Sequence, residues 1–85
     1  MVAVSEKQAI EGLMAAYGME LQFERQMEQK RRFRGLGTFI DVWQGRKGIT
    51  LGVYDNKKSA MYFQYRLTLE QIENLLLNMQ RNYEE

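Results

Sequence analysis

Hydrophobic and polar residues alternate along the middle of the chain, between Gly35 and Leu67. Such a period-two pattern over short segments is typical of half-buried β-strands. Two segments rich in turn-forming and charged residues, 45–48 and 55–59, interrupt the pattern and favour turns. The pattern therefore predicts an antiparallel meander with strands at 38–44, 49–54 and 60–67.

A helix is predicted before the meander. Ser5 and Gln8 have the spacing of a capping box, in which each side chain accepts a hydrogen bond from the other residue's backbone N–H. Apolar residues then recur at helical spacing until Gly18, a residue suited to the left-handed position after a helix. The spacing predicts a helix over residues 5–17 with an apolar stripe of Ile10, Leu13, Met14 and Tyr17.

The C-terminal segment has the same features. Thr68 and Gln71 form a second capping box, and Leu67 and Ile72 are spaced for a hydrophobic staple. A second helix is therefore predicted from this point onward. Its apolar stripe consists of Ile72, Leu75, Leu76, Met79 and Tyr83.

The segment that joins the first helix to the meander allows two predictions. Its first half alternates apolar and polar side chains, which favours a strand over residues 19–27. Its second half is rich in helix formers, and Glu28 and Arg32 have the spacing of a favourable helical pair, which favours one long helix over residues 5–34. We prefer the strand because Gly18 interrupts the helical pattern.

The predicted elements form a single α+β domain spanning residues 1–85. A three- to four-stranded antiparallel meander has both helices on one face, in the order αββββα or, with the long helix, αβββα. The chain has no cysteine and no histidine, which excludes disulfides and the usual zinc ligand sets. It lacks a signature of acid–base or nucleophilic catalysis, so a non-enzymatic protein without cofactor or metal is expected. No segment has the pattern of a signal peptide or a membrane span, so a cytoplasmic location is expected.

Charge is distributed unevenly, although the net charge is only +1. Residues 30–58 contain eight basic and two acidic side chains, a net charge of +6. The rest of the chain contains four basic and nine acidic side chains, a net charge of −5. A basic block on one face is typical of a protein that binds a polyanion. Solvation of the hairpin tips by lysine and arginine is the alternative explanation.

Alternation also sorts the strand residues into two faces. The helix-covered face is predicted to contain Met19, Leu21, Phe23, Ile40, Val42, Ile49, Leu51, Val53, Met61, Phe63, Tyr65 and Leu67. The opposite face is predicted to contain Phe39, Asp41, Trp43, Thr50, Gly52, Tyr54, Tyr62, Gln64 and Arg66. Aromatic residues thus gather on a face that the helices do not reach, and such patches are usually contact surfaces.

A small nucleic-acid-binding module is the leading functional hypothesis. The residues predicted to stack on bases are Phe39, Trp43, Tyr54 and Tyr62. The residues predicted to contact phosphates are Arg46, Lys47, Lys57, Lys58 and Arg66, with a basic arm of Lys30, Arg31, Arg32 and Arg34. Three acidic residues on the same face would oppose phosphate binding: Glu20, Glu24 and Asp41.

There is one alternative for the function of the aromatic face and one for the orientation of the strand at 38–44. The aromatic face could bind a protein partner, as in a small accessory or inhibitor protein, or a second copy of the chain in a homodimer. A one-residue bulge at Gly37 could instead turn Phe39 and Trp43 into the core and leave Ile40 and Val42 outside.

The order αββββα, with the segments YGMELQF at 17–23 and IDVWQGRK at 40–47, resembles small sheet domains that lie on nucleic acids. It is similar in outline to the TATA-binding-protein-like fold and to single-strand binders of the Pur-alpha and Whirly types. With the long helix, the order αβββα resembles the double-stranded-RNA-binding domain. In that comparison the segment 68–71 is acidic where the family has a basic helix start. The resemblance implies a sheet that contacts nucleic acid and assigns no residue a role.

Overall fold

The computed structural model describes residues 5–84. Two helices flank five strands: α1 Glu6–Ala16, β1 Glu20–Arg25, β2 Lys30–Gly35, β3 Thr38–Gly45, β4 Gly48–Asp55, β5 Ala60–Leu67 and α2 Leu69–Glu84. A 3₁₀ turn at Gln26–Glu28 joins β1 to β2. The predicted α+β fold is confirmed. It has one strand more than expected, because the segment between α1 and β3 forms a hairpin, and the single long helix is therefore wrong.

All five strands form one sheet in the order β1-β2-β3-β4-β5, and each strand pairs antiparallel with the next. The β2–β3 turn has two residues, Leu36 and Gly37, and their positive φ angles of 52° and 74° suit a tight hairpin turn. Because the strands alternate in direction, this turn and the β4–β5 turn share one end of the sheet. Asn56 Nδ2 joins the two turns by donating a hydrogen bond to Gly37 O at 2.6 Å.

Both predicted capping boxes are present. Gln8 N donates to Ser5 Oγ at 3.1 Å, and Ser5 N donates to Gln8 Oε1 at 3.2 Å. In the second box, Gln71 N donates to Thr68 Oγ1 at 3.1 Å, and Thr68 N donates to Gln71 Oε1 at 2.8 Å. These bonds satisfy backbone N–H groups that the first helical turn leaves unpaired, which fixes where each helix begins.

The core lies between the two helices and one face of the sheet. Its side chains are Ile10 and Met14 of α1, Ile72 and Leu76 of α2, Met19, and the strand residues Phe33, Ile40, Val42, Ile49 and Leu51. Ile40 and Val42 are fully buried, so the alternative with a bulge at Gly37 is wrong. The other face of the sheet, which we call the open face, has neither α1 nor α2 against it. No helix within residues 5–84 has the length and hydropathy needed to cross a lipid bilayer.

The segment predicted to be a basic arm is strand β2, and its side chains alternate between the two faces. Arg31 is 3% exposed on the helix side, where its Nη1 donates to Glu11 Oε1 at 2.8 Å. It also donates to Gln44 Oε1, and the two bonds fix the guanidinium against α1. Contrary to the prediction, Arg31 is therefore not available to a phosphate.

A register shift in β1 moves one aromatic ring to the open face. The pairing with β2 is irregular between Leu21 and Phe23, and Phe23 then pairs with Arg32. The side chain of Phe23 therefore lies on the open face, not on the helix-covered face as predicted.

A β-bulge reverses the predicted faces of β5. Gln64 pairs with Leu51, whereas Leu67 pairs with Ile49, so two residues of β5 lie opposite Thr50. Leu67 still packs against the core, but the residues before the bulge are shifted by one position. In contrast to the prediction, the open face carries Met61, Phe63 and Tyr65, and the helix side carries Tyr62 and Gln64.

Candidate nucleic-acid interface

Cross-strand pairing arranges the open face in three rows, each running from β1 to β5. The first row is Glu20, Arg34, Phe39, Tyr54 and Met61. The second row is Phe23, Arg32, Asp41, Gly52 and Phe63. The third row is Arg25, Lys30, Trp43, Thr50 and Tyr65. Cations thus concentrate on β2, with one more, Arg25, on β1, whereas most of the aromatic rings lie on β3, β4 and β5.

Asp41 lies at the centre of the open face and is only 2% exposed. Arg32 donates two hydrogen bonds to it, from Nε to Oδ1 at 2.6 Å and from Nη2 to Oδ2 at 2.9 Å. Lys30 Nζ lies 3.3 Å from Oδ2. The hydrogen bond with Asp41 raises the pKa of Arg32, so the guanidinium stays charged. Two cations thus surround one carboxylate, and Asp41 offers no free negative charge to a ligand on this face.

Phe39 is held between two neighbours. Its ring stacks on Tyr54, with the centroids 4.7 Å apart and the planes 10° from parallel. Arg32 Cζ lies 4.1 Å from the centroid of the same ring. Because β2 and β4 flank β3, the guanidinium and the tyrosine lie on opposite sides of the ring. Neither face of Phe39 is open to a base, so this residue supports the surface and does not offer a stacking site.

Gly52 leaves room in the middle of the open face. A Cβ at this position would lie 2.7 Å from Met61 Sδ and 3.1 Å from Phe63 Cε1, so both side chains lean across the glycine. The Phe63 ring then meets Trp43, with centroids 5.8 Å apart and 47° between the planes. On the side of β2, Lys30 Nζ lies 5.3 Å from the centroid of the Trp43 ring. The indole is therefore flanked by a tilted aromatic ring and a cation, and unlike the Phe39 ring it has no ring stacked parallel to it.

A cleft of about 620 Å³ opens at the end of the sheet that holds the β3–β4 turn. Its aromatic residues are Trp43 and Tyr65, and the Tyr65 side chain is 69% exposed. Its cations are Arg46, Lys47 and Arg66, none of which forms an ion pair with another residue of the range 5–84. The rest of the lining consists of Glu28, Gln29, Gln44, Gly45, Gly48 and Thr50. The cleft thus combines aromatic rings with uncompensated positive charge.

Tyr65 is the residue of the cleft that sequence reasoning missed. Alternation assigns it to the core, and the bulge in β5 brings it to the open face instead. At the bulge Arg66 has a φ of 55°, and Gly48 nearby has a φ of 117°. A Cβ on Gly48 would lie 3.4 Å from Arg66 Cα, so the glycine accommodates the bulged backbone. The glycine that ends the β3–β4 turn is the one sequence signal that could have indicated this geometry.

Three other predicted residues lie away from both the cleft and the three rows of the open face. Lys57 and Lys58 belong to the β4–β5 turn, at the opposite end of the sheet. Tyr62 lies on the helix side of β5, with Lys58 Nζ 5.7 Å from its ring centroid. The structure therefore does not bring Tyr62 into the aromatic rows of the open face. Arg34 does lie on the open face, in the first row.

No family model, curated protein or solved structure matches the chain. Within residues 5–84, no group of three or more acidic side chains is placed to hold a metal ion. A function is therefore inferred from the open face and its cleft.

Proposed function

We propose that the protein binds single-stranded nucleic acid on the open face, with a base held between Trp43 and Tyr65. The observation that carries this proposal is the cleft in which the two rings meet the cations Arg46, Lys47 and Arg66. Aromatic rings can stack on any base, and adjacent cations neutralise the phosphates that link the bases. The protein thus acts by holding a nucleic-acid strand and carries out no chemistry on it.

A single strand suits this surface better than a duplex does. In a duplex the faces of the bases are covered by their neighbours, so an aromatic side chain reaches them only after unstacking. The cleft volume of about 620 Å³ falls within the range of roughly 300–1,000 Å³ that is typical of small-ligand sites. One splayed nucleotide therefore occupies the cleft, and the adjoining nucleotides cross the cation-rich strand β2.

The charges of the open face support an anionic ligand. The carboxylate at its centre, Asp41, is bound by Arg32 and Lys30, so its repulsion of phosphate is offset. At the mouth of the cleft, Glu28 Oε1 lies 3.8 Å from Arg25 Nη1, which partly compensates its charge. Arg46, Lys47 and Arg66 form no ion pair in the described chain, so positive charge exceeds negative charge around the cleft.

Fluorescence of Trp43 tests the proposal, since this is the only tryptophan of the chain. Titration with a mixed-sequence single-stranded oligonucleotide should quench its emission, because stacking on a base alters the environment of the indole. The affinity should fall as salt is raised, because each neutralised phosphate releases a counterion. A duplex of the same sequence should bind more weakly. Unchanged emission together with no shift of the oligonucleotide in a gel would refute the proposal.

A protein partner on the same face is the second candidate. Phe63 is 48% exposed and adjoins Tyr65, so the aromatic surface reaches the edge of the sheet. An aromatic protein interface depends weakly on salt, whereas phosphate contacts depend on it steeply. The dependence of binding affinity on salt concentration therefore distinguishes a protein partner from a nucleic acid, and the same titration measures it for both.

A further inference from the structure

The outer edge of β5 differs from an ordinary protected sheet edge. β5 is the last strand of the sheet, so one side of its backbone has no strand beside it among residues 5–84. Residues 62–66 are exposed, and three of these five are large aromatic residues: Tyr62 is 47%, Phe63 48% and Tyr65 69% exposed. Arg66 is the only charged residue of this eight-residue strand. An edge with a single charge, at one end of the strand, is a template for another strand.

The opposite edge, β1, has the features that normally prevent such pairing. Three of its six residues are charged: Glu20, Glu24 and Arg25. Its register shifts between Leu21 and Phe23, which makes the strand irregular. Charges and bulges on an edge strand disfavour pairing with another chain. The sheet is therefore protected along β1, whereas on β5 the bulge and the one charge lie only near the end of the strand, at Tyr65 and Arg66.

We infer that β5 pairs antiparallel with β5 of a second copy of this chain, about a two-fold axis at Phe63. The extended part of the strand runs from Ala60 to Tyr65, between the positive φ angles of Ser59 and Arg66. A register centred on Phe63 pairs the five residues 61–65 with the same five residues of the copy and leaves only Ala60 of this part unpaired. The result is a ten-stranded sheet with an isologous interface.

This register is chemically self-complementary. On the open face Phe63 lies opposite the partner's Phe63, and Met61 lies opposite the partner's Tyr65. On the helix side Tyr62 lies opposite the partner's Gln64, a pair that can share a hydrogen bond. No like charges face each other in the paired segment, and apolar or aromatic cross-strand pairs stabilise antiparallel strands.

A second surface also favours pairing with a second copy of this chain. A cleft of about 580 Å³ lies between α2 and the outer strands on the helix side. Its lining includes Leu75 and Met79 of α2 with Tyr62 and Gln64 of β5. The two-fold axis brings this cleft next to the same cleft of the partner, so the half-buried apolar residues of both α2 helices gain cover. An 85-residue chain has a small core, which makes a shared one advantageous.

The inference does not depend on nucleic-acid binding, because it uses the strand edge and the helix side. The open face stays accessible in the dimer and continues across the junction of the two sheets. Dimerisation and oligonucleotide binding are therefore measured separately, and either can fail while the other holds.

Sedimentation over a concentration series should show a dimer of the 10.1 kDa chain. Two variants place like charges opposite each other: an acidic one, Tyr62→Glu with Gln64→Glu, and a basic one, Tyr62→Lys with Gln64→Lys. Each should weaken self-association at least about ten-fold, because like charges directly opposite each other destabilise paired strands. An equimolar mixture of the two should restore a dimer, since opposite charges then face each other. The matched control, Gln22→Glu with Gln26→Glu at the β1 edge, should dimerise as the wild type does.

Three results would overturn the inference. The first is a wild-type chain that remains monomeric at its highest soluble concentration. The second is a dimer that both charged variants leave intact, and the third is a mixture of folded variants that does not associate. If circular dichroism shows that either variant is unfolded, hydrogen exchange of the backbone amides of the wild type tests the dimer instead. Protection of β5 amides must then rise with protein concentration, and protection that does not change rejects the dimer.

Discussion

Arg32 and Asp41 lie opposite each other on β2 and β3, and two hydrogen bonds of 2.6 and 2.9 Å join them on the face of the sheet that the helices leave uncovered. The carboxylate is 2% exposed, although it has no helix above it, because neighbouring side chains cover it. The pair therefore fixes the centre of the open face, between its cationic and aromatic halves, and Asp41 there is shielded from water. A flat surface held in this way can bind a ligand with little loss of side-chain freedom.

Replacing Arg32 should therefore destabilise the fold. In Arg32→Met the buried carboxylate of Asp41 keeps only Lys30 as a charged partner, at 3.3 Å. The free energy of unfolding should fall by about 2 kcal/mol, the scale of a buried charged group that loses its hydrogen bonds. Urea unfolding followed by Trp43 fluorescence measures the change. Arg34→Met, on the same face of the same strand, is the control and should cost much less; equal losses would contradict the role given to the pair.

Substitution of Tyr62 and Tyr65 tests the two faces of β5 separately. Tyr65 lines the cleft and Tyr62 lies on the helix side, although both side chains are exposed. Tyr65→Ala should weaken binding of a single-stranded oligonucleotide about ten-fold, because stacking contributes roughly 1–3 kcal/mol per base. Tyr62→Ala should leave the affinity within experimental error. The reverse order of effects would place the ligand on the other side of β5.

The basic hairpin tips allow a similar comparison. Arg46 and Lys47 lie in the cleft, whereas Lys57 and Lys58 lie at the far end of the sheet. Removing two phosphate contacts by Arg46→Ala with Lys47→Ala should reduce the slope of log affinity against log salt by about 1.4, at roughly 0.7 per contact on a single strand. Lys57→Ala with Lys58→Ala should change the slope less. Equal changes would mean that a bound strand spans the whole sheet.

The parts of the fold that depend on local sequence could be predicted. Both capping boxes, at Ser5–Gln8 and Thr68–Gln71, form as expected because a cap depends on residues three positions apart. The three strands of the meander also form near their predicted bounds, since alternation and turn residues lie within each hairpin.

The faces of the edge strands could not be predicted in the same way. A single inserted residue in β5 exchanges Tyr62 and Tyr65 between faces, and that bulge depends on where Leu67 can reach the core. Arg31 was misplaced for a different reason. Strand alternation puts it on the same face as Phe33, but its burial requires Glu11 of α1, a partner that only the folded chain supplies.

Two glycines should respond in opposite ways to alanine. Gly12 is exposed in α1 and a Cβ there would meet no atom within 4 Å, so Gly12→Ala should stabilise the fold by about 1 kcal/mol through helix propensity alone. A Cβ on Gly35 would lie 2.5 Å from Gly18 O and 3.0 Å from Met19 Cα, so the backbone itself must move. Gly35→Ala should therefore destabilise by about 1–3 kcal/mol. Urea midpoints of the two variants test this, and a neutral Gly35→Ala would show that the α1–β1 connection is not tightly packed.

The contact between α1 and β1 should make stability depend on pH. Lys7 Nζ lies 2.8 Å from Glu24 Oε2, and this hydrogen bond, together with the charges of Lys7 and Arg31, lowers the pKa of Glu24 below its usual 4.5. A lowered folded-state pKa stabilises the fold above the unfolded pKa, and that stabilisation is lost as pH falls through the folded value. Glu24→Gln should therefore unfold at a lower urea concentration than the wild type near pH 7, and the difference should vanish near pH 3. Because both groups are exposed, the effect should be small and should shrink in high salt. Glu20→Gln, on the same strand, is the control; a difference between Glu24→Gln and the wild type that persists unchanged in acid would show that the side chain acts through packing and not through its charge.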